Sequence, residues 1–143
     1  MIFIGVDTGQ ERTRAVVLNL ETAEIVARAE ESHDLVPGLP AGHCEQDPSL
    51  WIRAVDRTVR DCLARLGESR NRVTGIGVSG QPRALVLLDG ENRIVRPAKL
   101  GPDCAAAPQA DEIRRSFGGA PGLTELTGCV TEPTSVAAKI RWV

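Results

Sequence analysis

The chain has 143 residues, 42% of them hydrophobic and 25% charged, with a formal net charge of -2. That suffices for one globular domain with its own core and leaves no electrostatic footprint for nucleic acid or an anionic membrane. Two Trp, two Phe and no Tyr exclude an aromatic platform for stacked bases. No apolar run approaches membrane-spanning length, and the N-terminus lacks a signal-peptide pattern. Cys44, Cys62, Cys104 and Cys129 are scattered with no close pair. This argues against a CxxC zinc or redox site and for reduced thiols in the cytoplasm.

Ile2 to Val6 is a continuous apolar run and predicts a buried strand. It ends in Asp7-Thr8-Gly9-Gln10, and a second apolar run follows over Arg14 to Leu18. Strand, Asp-x-Gly turn, strand is a hairpin with an acid at its tip. Gly9 removes the side chain that would block a close ligand. Backbone N–H groups in such a tip can face a phosphate, and the acid can hold Mg²⁺ through water. The plain alternative is a hairpin with a capping Asp.

Glu24 to Glu30 alternates and predicts a third strand, so the chain opens with an antiparallel meander. Ser32 to Gln46 carries Pro37, Gly38, Pro40 and Gly42 and reads as a loop. His33 and His43 fall in or beside it, with no second ligand at metal spacing, and are expected at the surface. Asp47-Pro48 opens a helix that Gly67 stops, with Trp51, Val55, Val59, Cys62 and Leu66 as its apolar stripe.

Val73 to Gly80 predicts another buried strand. Its Gly75-Ile76-Gly77-Val78-Ser79-Gly80 matches G-x-G-x-x-G. The glycines lie inside the strand pattern and Gln81-Pro82 follows in place of a helix start, so this is not a dinucleotide fingerprint. Close approach of backbone or ligand explains them better. Ala84 to Leu88 and Arg93 to Val95 predict a hairpin around Asp89-Gly90-Glu91-Asn92. Pro108 to Phe117 predicts a helix, Pro121 to Thr127 one or two helical turns, and Ser135 to Val143 an apolar face of Val136, Ile140 and Val143. That face stops uncapped at Trp142-Val143, which gives the expectation of a front piece of a longer protein.

In this order and spacing the motifs resemble the N-terminal part of the FGGY carbohydrate kinases, most closely their xylulokinases. The resemblance rests on Gly5-Val6-Asp7-Thr8-Gly9, Glu45-Gln46-Asp47-Pro48-x-x-Trp51 and Gly75 to Gln81. It continues through Leu87-Leu88-Asp89, Arg96-Pro97-Ala98 and Lys139-Ile140-Arg141-Trp142-Val143. It implies an α/β, actin-like (ribonuclease H-like) lobe over residues 1–143, a mixed sheet of about five strands with helices on both faces, and a second lobe outside this chain. It implies that Asp7, Thr8, Gly9 and Gln10 form the phosphate and Mg²⁺ turn, with Mg²⁺ on Asp7 through water. It places Gln81 and Asp103 near the sugar, with Arg83 as our added contact. The catalytic base, an Asp, is expected beyond Val143, so the 143-residue piece alone is expected to be inactive.

The departures bear on function. The family turn reads Asp-x-Gly-Thr-Ser, whereas Gln10-Glu11 stand here. Gln-Met-His becomes Gln81-Pro82-Arg83, and Trp-Asn-Asp-x-Arg becomes Gly101-Pro102-Asp103-Cys104-Ala105. Arg83 in place of a His suggests an acidic or phosphorylated substrate, or a salt bridge to a nearby acid. Two readings follow. One is the N-terminal part of a cytoplasmic ATP- and Mg²⁺-dependent kinase for a ketose or polyol, with no nucleic-acid or membrane partner and a homodimer left open. The other is a kinase-like binding or regulatory protein that kept the fold and lost the chemistry.

Overall fold

The computed structural model describes residues 1–143. They form two compact units, Met1–Asp34 with Pro48–Gln81, and Leu35–Asp47 with Pro82–Val143. The first unit holds β1 (Ile2–Thr8), β2 (Arg12–Asn19), β3 (Glu24–Ser32), α1 (Pro48–Leu66), a 3-10 turn (Gly67–Arg72) and β5 (Val73–Ser79). The second holds β4 (Glu45–Gln46), β6 (Ala98–Lys99), α2 (Ala107–Ser116), α3 (Gly119–Thr127) and α4 (Val136–Trp142).

In the first unit the sheet order is β3-β2-β1-β5. β1 pairs antiparallel with β2, β2 antiparallel with β3, and β1 parallel with β5. This is the expected mixed sheet, a three-strand meander with the 73–79 strand returning beside β1 after the α1 crossover. Ile2, Ile4 and Val6 alternate to one face, and Ala15, Val17 and Ala27 join them in a single buried cluster. α1 packs over β1, β2 and β3. Its buried line is Ala54, Thr58 and Cys62, flanked by half-buried Val55, Val59, Leu63 and Leu66. The predicted stripe was right in direction, but small residues at its centre bring the helix close to the sheet. The Thr58 hydroxyl donates to the Ala54 carbonyl at 2.8 Å, which settles its burial. Cys62 lies in the same layer, and burial pushes its thiol pKa up.

The β5 glycines have one clear cause. A Cβ on Gly75 would meet the Phe3 ring at 3.3 Å, whereas Gly77 and Gly80 face open space. Gly75 therefore admits an aromatic neighbour from the adjacent strand.

In the second unit the expected 32–46 loop contains a short strand: Glu45 pairs with Lys99 and Gln46 with Ala98. The predicted 84–95 hairpin reduces to a single bridge, Leu88 with Ile94, while Leu85 bridges to Lys99. Its tip is tied by Asp89, whose carboxylate accepts the Glu91 and Arg93 amides at 2.9 Å each. Those amides, Arg93 foremost, hold the Asp89 pKa below the usual carboxylate range. Ala106, Ala110 and Ala138 form an alanine core with Trp142 against it. Helices α2 and α4 pack there with little side chain between them.

Register gives a sharp contrast. Ile4 and Ile76 are partners in adjacent strands, yet Ile4 is 3% exposed under α1 and Ile76 is 55% exposed. Ile4→Ala is expected to cost about 2–5 kcal/mol and Ile76→Ala within about 0.5 kcal/mol. Urea unfolding of the two variants against the parent checks this.

Candidate functional site

The first cluster of site residues is at the carboxyl ends of the parallel pair. Register sets Asp7 of β1 beside Ser79 of β5. The Ser79 hydroxyl donates to Asp7 Oδ1 at 2.5 Å. A Cβ on Gly9 would come within 3.3 Å of the Arg12 carbonyl, so glycine lets the turn close tightly there. The Gly9 N–H donates to the Arg12 carbonyl at 3.0 Å and closes the turn. The Gly9 carbonyl accepts from Gln81 Nε2 at 3.0 Å. Gln81 is thus fastened to the turn by one end of its amide. Asp7, Gly9, Gln10, Glu11, Arg12 and Arg14 line a cleft of about 280 Å³. Arg12 and Arg14 pair with Glu30 at 3.4 and 3.7 Å, and Glu11 forms no ion pair with either.

His33 is a correction. It was expected at the surface and is buried, 6% exposed, directly against this turn. Its backbone N–H donates to the Glu11 carbonyl at 2.9 Å and its ring Nδ1 lies 3.3 Å from the Gln10 carbonyl. Its Nε2 lies 2.9 Å from Thr13 Oγ1, which is 3.4 Å from Thr8 Oγ1. Sequence reasoning missed it because the contacts join positions twenty or more apart. The one signal was its place, a residue past the end of a strand paired to β2.

The second unit collects Arg83 and Asp103. Asp103 is fully buried and both its oxygens are engaged. Lys99 Nζ lies 3.0 Å from Oδ1, the Ala105 amide donates to Oδ1 at 3.2 Å, and the Cys44 amide donates to Oδ2 at 2.8 Å. Lys99, itself buried, also reaches Glu45 Oε1 at 3.0 Å and lies 3.9 Å over the Trp142 ring. Arg96 bonds Glu45 at 2.7 Å and stacks on the same ring at 4.7 Å. His43, Glu45 and Asp103 bring ligand atoms within 4.8 Å of one another, a set that could suit a divalent cation. Lys99 already supplies positive charge there, in contact with both carboxylates. Arg83 is exposed, and within this domain it forms no ion pair. Its φ is +62°, a left-handed backbone.

The model of the FGGY family of carbohydrate kinases, N-terminal domain, matches residues 2–143. The chain belongs to this family. It is 34% identical to a xylulose kinase of Streptomyces rubiginosus and 31% identical to one of Escherichia coli, each over 99% of this chain and 28% of the relative. The crystal structure of xylulose kinase from Rhodospirillum rubrum superposes with a TM-score of 0.90 at 30% identity, over 99% of this chain and 28% of that one. This FGGY domain therefore spans little more than a quarter of the length of the relatives it matches.

The buried charges of this FGGY domain make a testable unit. Lys99→Met leaves the buried Asp103 without its cation and Glu45 with Arg96 alone, and is expected to cost about 3–5 kcal/mol. Adding Asp103→Asn should recover part of the loss, because the stranded charge is gone. Chemical unfolding of the two single variants and the double variant reads the coupling.

Proposed function

We propose that this domain is the N-terminal part of an ATP-dependent carbohydrate kinase of the xylulose kinase type. The reaction moves the γ-phosphoryl group of ATP to a hydroxyl of a ketose or polyol, releasing ADP, the sugar phosphate and a proton. The observation that carries the reading is the position of Asp7, an acid at the carboxyl end of the one parallel strand pair. The 34% identity to a xylulose kinase over 99% of this chain supports it.

Asp7 suits Mg²⁺ because it is an exposed hard oxygen donor with only one oxygen tied down, by Ser79. In the proposal it holds the ion through water, and the bound Mg²⁺ neutralises phosphate charge. Thr8, Gly9 and Gln10 shape the cleft that receives the phosphates. The Gly9 N–H is committed to Arg12, so the role assigned to Gly9 is to let the turn close against the Arg12 carbonyl. His33 holds the Gln10 and Glu11 carbonyls and so fixes the turn. Gln81, already bonded to Gly9, and Arg83 meet the sugar. Asp103 fixes the chain around Cys44 and Ala105 in support of that site. A downstream Asp takes the hydroxyl proton. The setting is the cytoplasm, where ATP is supplied and all four free thiols stay reduced.

Two outcomes are expected. The full-length protein should release ADP with a panel of pentuloses and polyols, and Asp7→Ala should lower kcat/KM by at least about a hundredfold. A coupled ADP assay measures both, and full-length protein that transfers to none of the panel sinks the reading. Second, Glu11 lines the cleft without a paired cation, so negative charge stands near the proposed phosphate position. Gln10→Thr with Glu11→Ser should tighten Mg·ATP by up to about tenfold. Titration calorimetry showing equal affinities would place Glu11 outside the phosphate field.

A further inference from the structure

Lys139 is fully buried on α4 and is not used by the phosphate turn. Its Nζ donates to three main-chain carbonyls: Arg83 at 2.9 Å, Leu100 at 2.6 Å and Gly101 at 3.2 Å. An ammonium has three N–H donors, and here each finds one acceptor. The acceptors come from two stretches of chain, 82–83 and 100–101. One carries Arg83, and the other leads into Asp103.

Two further observations concern the same seam. A Cβ on Gly101 would lie 3.1 Å from the Pro82 carbonyl oxygen, so the two stretches meet backbone to backbone. Arg83 holds a left-handed φ of +62° without being glycine. Such a conformation is strained for a residue with a side chain and persists only where its surroundings hold it. The Arg83 carbonyl, one end of that strained residue, is what Lys139 grips. Burial pushes the Lys139 pKa down; Asp103 opposes this, and Lys99 and Arg83 add to it. Lys139 is thus a buried cation kept in place at a cost, bonded to carbonyls and to no carboxylate.

We propose that Lys139 is a positioning residue for the acceptor sugar, locking stretches 82–83 and 100–101 together so that Arg83 is presented to the substrate in one conformation. This rests on the kinase reading above. It predicts a defect confined to the sugar, because the residues assigned to nucleotide phosphate all belong to the other unit.

The test uses the full-length protein, with Lys139→Met and Gly101→Ala. The second variant pushes on the same seam without leaving a buried carbonyl unpaired, so it carries the test if Lys139→Met does not fold. Steady-state kinetics are expected to show the sugar KM raised about tenfold or more, with the ATP KM changed by no more than about twofold. Hydrogen exchange should quicken in peptides covering 82–85 and 98–104, with β1 and β2 unchanged. An unchanged sugar KM in the folded variants overturns the proposal, as does a parallel rise for sugar and ATP. If the parent protein transfers phosphate to no ketose or polyol, the kinase reading fails by itself. Exchange then decides the clamp: quickening confined to the two stretches supports it, and unchanged exchange overturns it.

Discussion

The parallel pairing of β1 with β5 is the constraint on which the phosphate turn depends. It is the only parallel contact in the sheet, and it costs a 19-residue helix to make the crossover. The pairing sets Asp7 against Ser79 and brings Gln81, two residues further on, to the Gly9 carbonyl. A slip of one residue would turn Asp7 to the face that α1 covers, together with every other side chain of β1. The register is therefore fixed by Ile2, Ile4 and Val6 under α1, and the acid at the end inherits its position from them. Core packing and site geometry are the same fact in this unit.

The second unit is organised by charge. Glu45, Lys99 and Asp103 are each less than 5% exposed. Burying three charges is costly unless each is paired and hydrogen-bonded, and here each is. The β4–β6 pairing brings Glu45 opposite Lys99, and Trp142 closes the cluster with its ring face. Such a cluster tolerates few alternatives: each member is satisfied only while the others stay. That is a reason for a two-residue strand pair to hold its place with so little apolar surface of its own.

Legibility in the sequence followed contact range. The bounds of α1, Pro48 to Leu66, were readable because Pro, the apolar period and Gly67 are local signals. The β1–β2–β3 meander was readable for the same reason. The parallel neighbour of β1 followed from the handedness and length of a helix crossover. What stayed hidden joins distant positions. Glu45–Gln46 looked like loop because two residues show no period, and their partners are more than fifty positions away. His33 looked like a surface histidine because nothing local reveals that its ring lies under residues 10 to 13. Lys139 was singled out by no local signal beyond its place in the Lys139–Val143 motif, and three carbonyls receive it in the interior. Asp103 was legible as a residue that matters, though its engagement by Lys99 and two amides was not. Polar residues that end up buried are the hardest to place from sequence, since composition assigns them to the surface.

The closeness of Gly101 to the Pro82 carbonyl has a consequence for mutational history. Position 101 holds glycine and position 82 proline, where the family pattern that the sequence resembles has tryptophan and methionine. With the two backbones in contact, a large side chain cannot enter at 101 while the 82–83 stretch keeps its course. Since the contact is with the main-chain carbonyl, a larger residue at 101 asks the 82–83 stretch to shift whatever side chain stands at 82. A route that restores the aromatic residue first passes through a strained intermediate, whereas one that first releases the 82–83 stretch does not.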